Sequence, residues 1–329
     1  MLKTGIKKWG RLCIAALPLA WSLAANAQAA FPDKPVRLLL PYSSGVGPDI
    51  VARLLAERLG TKWGQSVVID NKPGASGFIA IQALMAAPAD GYNLLVADNG
   101  HIAVNPHIHK KIPFDSTRDF AGITTVLKTS FFIATSATGP INSVLKLLEM
   151  AKAEPGKLSY GSPFVGSPSH LGGALMEQLS GTSMIHAPFR ELGQMFSEIS
   201  TGGVSWALAT VASSRPYVES GKVRLLAVAA QKRVAGFENI PTVAEAGGPK
   251  DYVVDSWVAV IGRKGTPTPV LNKISKDVGD IMQSAEMKKR LIEMGFEATS
   301  STPAEVDTLI AKDTLRYADL VKKAKIEPQ

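Results

Sequence analysis

The residues best suited to chemistry are hydroxyls and glycines gathered in two short stretches. The first reads Tyr42-Ser43-Ser44-Gly45-Val46-Gly47-Pro48-Asp49, the second Ser162-Pro163-Phe164-Val165-Gly166-Ser167-Pro168-Ser169-His170. Neither holds a G-x-S-x-G nucleophile elbow, and the hydroxyls lack an evident His–Asp relay, so acyl transfer is missing its parts. Holding an anion needs less. Glycine lets the chain turn with no side chain in the way, and a helix N-terminus presents unpaired N–H groups and a partial positive charge. A carboxylate or a phosphate suits such a place. The candidate ligand residues are therefore Tyr42, Ser43, Ser44, Gly45, Val46 and Gly47 in the first stretch. In the second they are Ser162, Val165, Gly166, Ser167, Ser169 and His170. A plain structural βα turn uses the same residue types. His170 either donates to the ligand or holds its loop, and Asp49 is expected to cap the helix that follows.

Two other places carry side chains of interest. Asp98-Asn99-Gly100-His101 closes an apolar run, so Asn99 and Gly100 sit where a strand ends and a ligand begins. His107-x-His109 has metal-ligating residue types, but two histidines spaced by one, with no third ligand in view, are poor evidence for zinc. Both are expected at the surface. No metal, cofactor or catalytic residue is assigned.

Elements that alternate between strand and helix must position these loops. Val36 to Leu40 is a short apolar run, and Ile50, Val51, Leu54, Leu55 and Leu59 then fall at helical spacing, with the helix expected over Asp49 to Leu59. The alternation repeats: strands at 66–69, 93–97, 124–127, 131–135, 185–187, 204–209, 223–229 and 255–261. Helices are expected at 78–87, 145–154, 171–179 and 213–219. Two more, 269–294 with a break near Ser284 and 303–323, close the chain. The stretch around Pro106 and Pro113 reads as non-helical. Such alternation implies α/β sheets with parallel strands. Loops ready for an anion occur both early (42–49, 73–77, 98–101) and in the middle (162–170, 189–191). If those parts belong to different domains, the loops face each other across a cleft, a favoured pocket site.

Residues 1–29 lie outside this pattern. Lys3, Lys7, Lys8 and Arg11 precede the apolar run Cys13 to Ala25, and small-x-small triplets at Ala25 to Ala29 follow. That is the layout of a secretory signal peptide, with cleavage expected between Ala27 and Ala30. The single cysteine of the chain leaves with it, and so do four cations, which lowers the formal charge from +8 to about +4. A thiol-free exported chain points to a bacterial periplasm. Its cations are interspersed with acids and form no stripe, so nucleic-acid binding is unsupported.

The ordered set FPDKPVRLLLPYSSGVGPD, VVIDNKPGASG, DGYNLL, Asn99-Gly100, KKIPFDSTRDF, SPSHL and IPTVAEAG resembles the extracytoplasmic solute receptors of tripartite tricarboxylate transporters, the Bug receptors. The resemblance covers the whole chain after the leader. It implies an α/β, two-domain periplasmic binding protein of the Venus flytrap type, each domain a mixed sheet flanked by helices. The domains would be 30–130 with 252–329, and 131–251, hinged near Ser130 and Val253. It also implies a monomer, a small organic acid as ligand, and the membrane subunits of a transporter as partners. Family members grip one carboxylate through the loops matching 42–47 and 162–170, partly through water. Departures from the family pattern narrow the ligand. Many members carry Asp-Asn where this chain has Ala209-Thr210, and in amino-acid receptors that Asp pairs with the ligand ammonium. A buried ammonium would be unpaired here, so an acid without an α-amino group is expected. Phe189-Arg190-Glu191 replaces Tyr-Lys-Gly. Arg190 either forks onto a distal carboxylate or pairs with Glu191 or solvent. Tyr42, Phe164, Phe189 and Trp257 are candidate apolar walls, which makes a phthalate-type dicarboxylate one option. A periplasmic sensor with the same fold is the rival function, and a secreted hydrolase a remote one.

Overall fold

A computed structural model describes residues 31–163, 165–189, 191–323 and 326–328. The stretch read as a signal peptide, Phe164 and Arg190 lie outside the described residues. Two sheets organise the chain. The first has the order β11-β4-β10-β3-β1-β2, with β1 Val36–Leu40, β2 Val67–Asn71, β3 Asn93–Asp98, β4 Phe120–Ser130, β10 Asp255–Arg263 and β11 Phe296–Ala298. The second has the order β7-β6-β8-β5-β9, with β5 Phe132–Ser136, β6 Ser159–Ser162, β7 Ile185–Pro188, β8 Trp206–Ala209 and β9 Val223–Val228. Each sheet and its helices form a lobe.

Both sheets are mixed. β1 runs parallel to β2 and β3, whereas β10 lies antiparallel between β3 and β4. In the second sheet β6 is parallel to β7 and β8, and β5 is antiparallel to β8 and β9. The all-parallel expectation drawn from strand–helix alternation therefore holds for only part of each sheet. β4 and β10, which lead into and out of the whole second lobe, pair antiparallel.

Period-two burial places a core on each face of the first sheet. Leu38, Leu40, Leu94, Val96, Val258 and Val260 point one way, toward α1 Gly47–Trp63, α8 Thr268–Met282 and α9 Ala285–Glu293. Leu39, Leu95, Ala97, Trp257, Ala259 and Ile261 point the other way, toward α2 Phe78–Ala86 and α10 Pro303–Lys323. Trp257 is thus a core residue and not a ligand wall; its indole N–H donates to Asp313 at 2.7 Å. In the second sheet Ile133, Trp206, Leu208 and Ala227 pack toward α4 Val144–Ala153 and α5 Pro168–Ser180. Ala134, Ala207, Ala209 and Val223 pack toward α6 Leu192–Thr201, and α7 Val211–Glu219 follows β8.

The first part of the stretch read as non-helical is helical, and the part around Pro113 is not. Gly100–Val104 forms a π-helical turn that runs into α3, Asn105–Ile108. Pro106 does not break it, because proline at the start of a helix gives up an N–H that would be unpaired anyway. The short edge strand β11 had no strand signal of its own.

The chain passes from the first sheet to the second between Ser130 and Phe132 and returns at Val254–Asp255. These passages lie side by side. Asp255 is in register with Ser130, Ala229 donates to the Phe131 carbonyl at 2.8 Å, and Val254 donates to that of Ala229 at 2.9 Å.

Candidate functional site

A cavity of about 860 Å³ lies between the lobes. The first lobe supplies Gly74, Ser76, Gly77, Asp98, Gly100 and His101 to its wall, with Ile108 at the end of α3 and His109 just after it. The second lobe supplies Pro163, Val165, Gly166, Pro188 and Phe189, and the segment after α10 adds Ile326 and Glu327. Beside it the lobes touch. Leu171 packs with Val104, Ile108 and Tyr317, and a Cβ on Gly166 would sit 2.5 Å from Ile108 Cδ1.

Four of the residues expected from sequence line this cavity: Gly100, Val165, Gly166 and Phe189. The others stand around it. Ser43, Ser44, Gly45 and Val46 are exposed on the loop before α1, and Gly47 is pressed against Phe296, so a Cβ there would lie 2.5 Å from the ring. Tyr42 stands behind the wall and donates its hydroxyl to Asp98 at 3.0 Å. Asn99 is fully buried and its amide is committed. It accepts from Ser256 at 2.7 Å and donates to Tyr317 at 2.8 Å and to the Asp255 carbonyl at 3.3 Å. Ala209 is buried in the second lobe, and Thr210 caps α7 by accepting from the Ser213 N–H at 3.2 Å.

The serines expected to offer hydroxyls in the second loop are buried and used locally. Ser167 caps α5, accepting from the His170 N–H at 3.2 Å. Ser169 donates to the Leu208 carbonyl at 2.8 Å, and the Ser162 hydroxyl lies 2.7 Å from His186 Nε2. His170 holds the loop: its Nδ1 accepts the Gly166 N–H at 2.9 Å, while its ring stacks on His186 with centroids 3.7 Å apart. Burial pushes His170 down to about 4, helped by the neighbouring His186, and burial alone pushes His186 down to about 4. Both imidazoles are neutral near pH 7.

In the first lobe Asp49 is not the cap. Val46 occupies that position, and Asp49 lies inside the first turn of α1 with its carboxylate folded back. It accepts from the Gly45 N–H at 2.8 Å, from Asn71 at 2.7 Å and from Arg53 at 2.9 and 3.1 Å. Burial alone would push Asp49 up. The hydrogen bonds from Arg53, Gly45 and Asn71 outweigh it and hold the carboxyl below the usual range.

Asp98 and His101 are wall residues not singled out from sequence. His101 Nδ1 lies 2.7 Å from Asp98 Oδ1, and the same oxygen accepts the His101 backbone N–H at 3.0 Å. Burial again pushes Asp98 up, but the charge and hydrogen bonds of His101, with the Tyr42 hydroxyl, bring it below the usual carboxylate range. The Tyr42 phenol is raised by burial and then by Asp98. The available signal was spacing: a carboxylate three residues before a histidine at a strand end. The histidines at 107 and 109 are half-buried rather than at the surface, each with a buried Nε2 that has no partner among the described residues. Burial lowers both. The described residues contain no group of three or more metal-ligating side chains.

Two lobes joined by paired backbone crossings, with a cavity between strand ends, define a ligand-binding receptor of the periplasmic binding-protein fold. The chain belongs to the tripartite tricarboxylate transporter receptor family, whose model matches residues 51–326. It is 30% identical to a UPF0065 protein of Bordetella bronchiseptica over 317 residues, 96% of this chain and 93% of that one. Among solved structures it is similar to an R. palustris protein, Rpa4515, described with adipate (TM-score 0.80, 31% identity, 91% of this chain and 100% of the other). It is also similar to the periplasmic binding protein BugD (TM-score 0.75, 28% identity, 91% and 100% covered). These neighbours are solute-binding proteins, not enzymes. No helix among the described residues is long and apolar enough to cross a membrane.

Proposed function

We propose that this receptor captures a small dicarboxylate without an α-amino group and delivers it to the membrane subunits of a tripartite transporter. The observation that carries the reading is the state of Asp98, the carboxylate at the strand end of the cavity wall. Asp98 accepts from the His101 ring, the His101 N–H and the Tyr42 hydroxyl, so both of its oxygens are already engaged and little of its acceptor capacity is left for an incoming ammonium. Ala209 is apolar and buried. The adipate described with Rpa4515 supports a linear diacid. So does the wall itself: Trp257 is in the core, the Tyr42 hydroxyl is turned to Asp98, and Phe189 is the aromatic residue facing the cavity among the described residues.

In this reading 30–130 with 252–329 and 131–251 move as two bodies. Rotation is absorbed where the crossings lie side by side, at Ser130–Phe132 and Val254–Asp255. The stretch 1–29 directs export, and the mature receptor works as a monomer in the periplasm. A carboxylate taking three or four charge-assisted hydrogen bonds supports a Kd on the order of 1 μM after ordering costs.

Calorimetry of the mature chain against linear dicarboxylates, aromatic diacids, aspartate and glutamate tests the reading. Linear dicarboxylates are expected to bind with micromolar Kd and to raise the unfolding temperature. Tighter binding of aspartate or glutamate, or binding of none of these acids, would overturn it.

A further inference from the structure

We propose that His101 is the specificity-determining residue that receives the second, distal carboxylate of the ligand, through an Nε2–H donated into the cavity. The inference rests on reading the cleft as an organic-acid site and names how its far end is recognised.

Geometry fixes the ring. Asp98 Oδ1 accepts both from His101 Nδ1 at 2.7 Å and from the His101 backbone N–H at 3.0 Å, and Asp98 Oδ2 takes the Tyr42 hydroxyl at 3.0 Å. A carboxylate that only accepts requires the proton on Nδ1. The Tyr42 ring adds an edge contact with centroids 5.3 Å apart. On the other side the imidazole lies against Gly77, where a Cβ would sit 2.2 Å from Cδ2 and 3.0 Å from Nε2. The ring can neither swing nor flip without losing Asp98. Its remaining nitrogen, Nε2, has no hydrogen-bond partner among the described residues, and His101 is part of the cavity wall.

Charge decides what that nitrogen does. The described wall carries the carboxylates of Asp98 and Glu327 and no Lys or Arg; His101 and His109 are its basic side chains. A dianion entering such a wall needs a positive charge. His109 is a poor source, since its Nε2 is buried and its ring packs edge-on to Phe78 at 5.1 Å. His101 is already braced by an anion. A second carboxylate at Nε2 would place the imidazole between two negative groups, which favours the doubly protonated ring. Nε2–H is then the donor that faces the second carboxylate. A ligand with a single carboxylate has nothing to place there.

Titration calorimetry with adipate and hexanoate, acids of equal chain length, provides the test. Each is run near neutral pH. The wild type is expected to bind adipate more tightly than hexanoate. His101→Gln, which keeps a donor toward Asp98, is expected to weaken adipate about 10- to 100-fold and to leave hexanoate nearly unchanged. Arg190→Ala is the competing arm, expected to affect both acids alike. Equal losses of both acids in His101→Gln, or a selective loss of adipate in Arg190→Ala alone, would each overturn the assignment. Binding of neither acid to the wild type would instead remove the parent reading, and the role of His101 with it.

Discussion

The loops that open α1 and α5 share one hydrogen-bond plan and differ in almost everything else. In each, a glycine with positive φ stands just before the helix cap: Gly45 at +88° and Gly166 at +84°. In each, that glycine N–H is accepted by the side chain four residues later, Asp49 in the first lobe and His170 in the second. In each, a proline follows within the first helical turn. The acceptor in one lobe is a charged carboxylate, itself buried beneath an exposed loop and braced by Arg53 and Asn71; in the other it is a buried, neutral imidazole stacked on another. The shared plan shows that the fold needs an acceptor at the third helical position, not a particular charge. The contrast shows two ways to supply it: a charge-assisted network beneath an exposed loop, and a neutral ring held by stacking.

Removing the acceptor from each lobe separates these two ways. His170→Ala leaves the buried Gly166 N–H without a partner and opens a gap beside His186, so a loss of about 3–4 kcal/mol is expected. Asp49→Ala removes more hydrogen bonds, yet Gly45 is exposed and water replaces the carboxylate there. About 2 kcal/mol is expected, mostly from the Asn71 amide. Denaturant unfolding of both variants reads the order directly. A larger loss for Asp49→Ala would mean that charge, and not dryness, sets the strength of the strut.

This contrast explains what was legible in the sequence. The loops, their glycines and the helices they open follow from local residue types, as does the period-two burial of Leu38 to Leu40. Whether a hydroxyl faces a ligand or its own helix does not, because that depends on which neighbour arrives from elsewhere in the chain. Ser169 meets the Leu208 carbonyl and Asn99 meets Ser256 and Tyr317, partners 39, 157 and 218 residues away. Asp98 and His101 escaped notice for a related reason. Their pairing is local, but its value comes from the cavity beside them, and the cavity is made by two lobes. The helical run after Gly100 was hidden by Pro106, which stops a helix in its middle and is harmless at its start.

Acid sharpens the comparison further. His170 and His186 are held down at about 4, below the ordinary histidine value. As pH falls below about 6.5 the unfolded chain takes up protons that the folded lobe refuses, so stability declines through this window and levels off near the folded values. Asp49 is held below the usual carboxylate range, so its contribution is present above that range and is lost only as pH falls through its lowered value. Between pH 7 and 5 the second lobe is thus the more sensitive one, by on the order of 2 kcal/mol for each histidine, while the lowered His107 and His109 of the first lobe add to the same slope. Unfolding free energies measured across that interval should slope for the wild type and slope less when both His170 and His186 become glutamine. An unchanged slope in that double variant would place the sensitivity elsewhere.

The smallest difference between the loops is the cap itself. Ser167 accepts the His170 N–H with φ −63° and ψ 156°, whereas Val46, at φ −78° and ψ 160°, offers nothing. The backbones nearly superpose in dihedral space, so a serine at 46 meets the Asp49 N–H in the geometry that Ser167 already uses. Ser167→Ala should cost about 1 kcal/mol, and Val46→Ser should return somewhat less, because Val46 is exposed and water competes for the same N–H. Thermal unfolding resolves both signs. Opposite shifts would show that the loops are interchangeable at the cap and differ only in how their glycines are held. A Val46→Ser variant no more stable than wild type would mean that the Asp49 strut already sets the first turn of α1, and that the first lobe has no use for the cap the second requires.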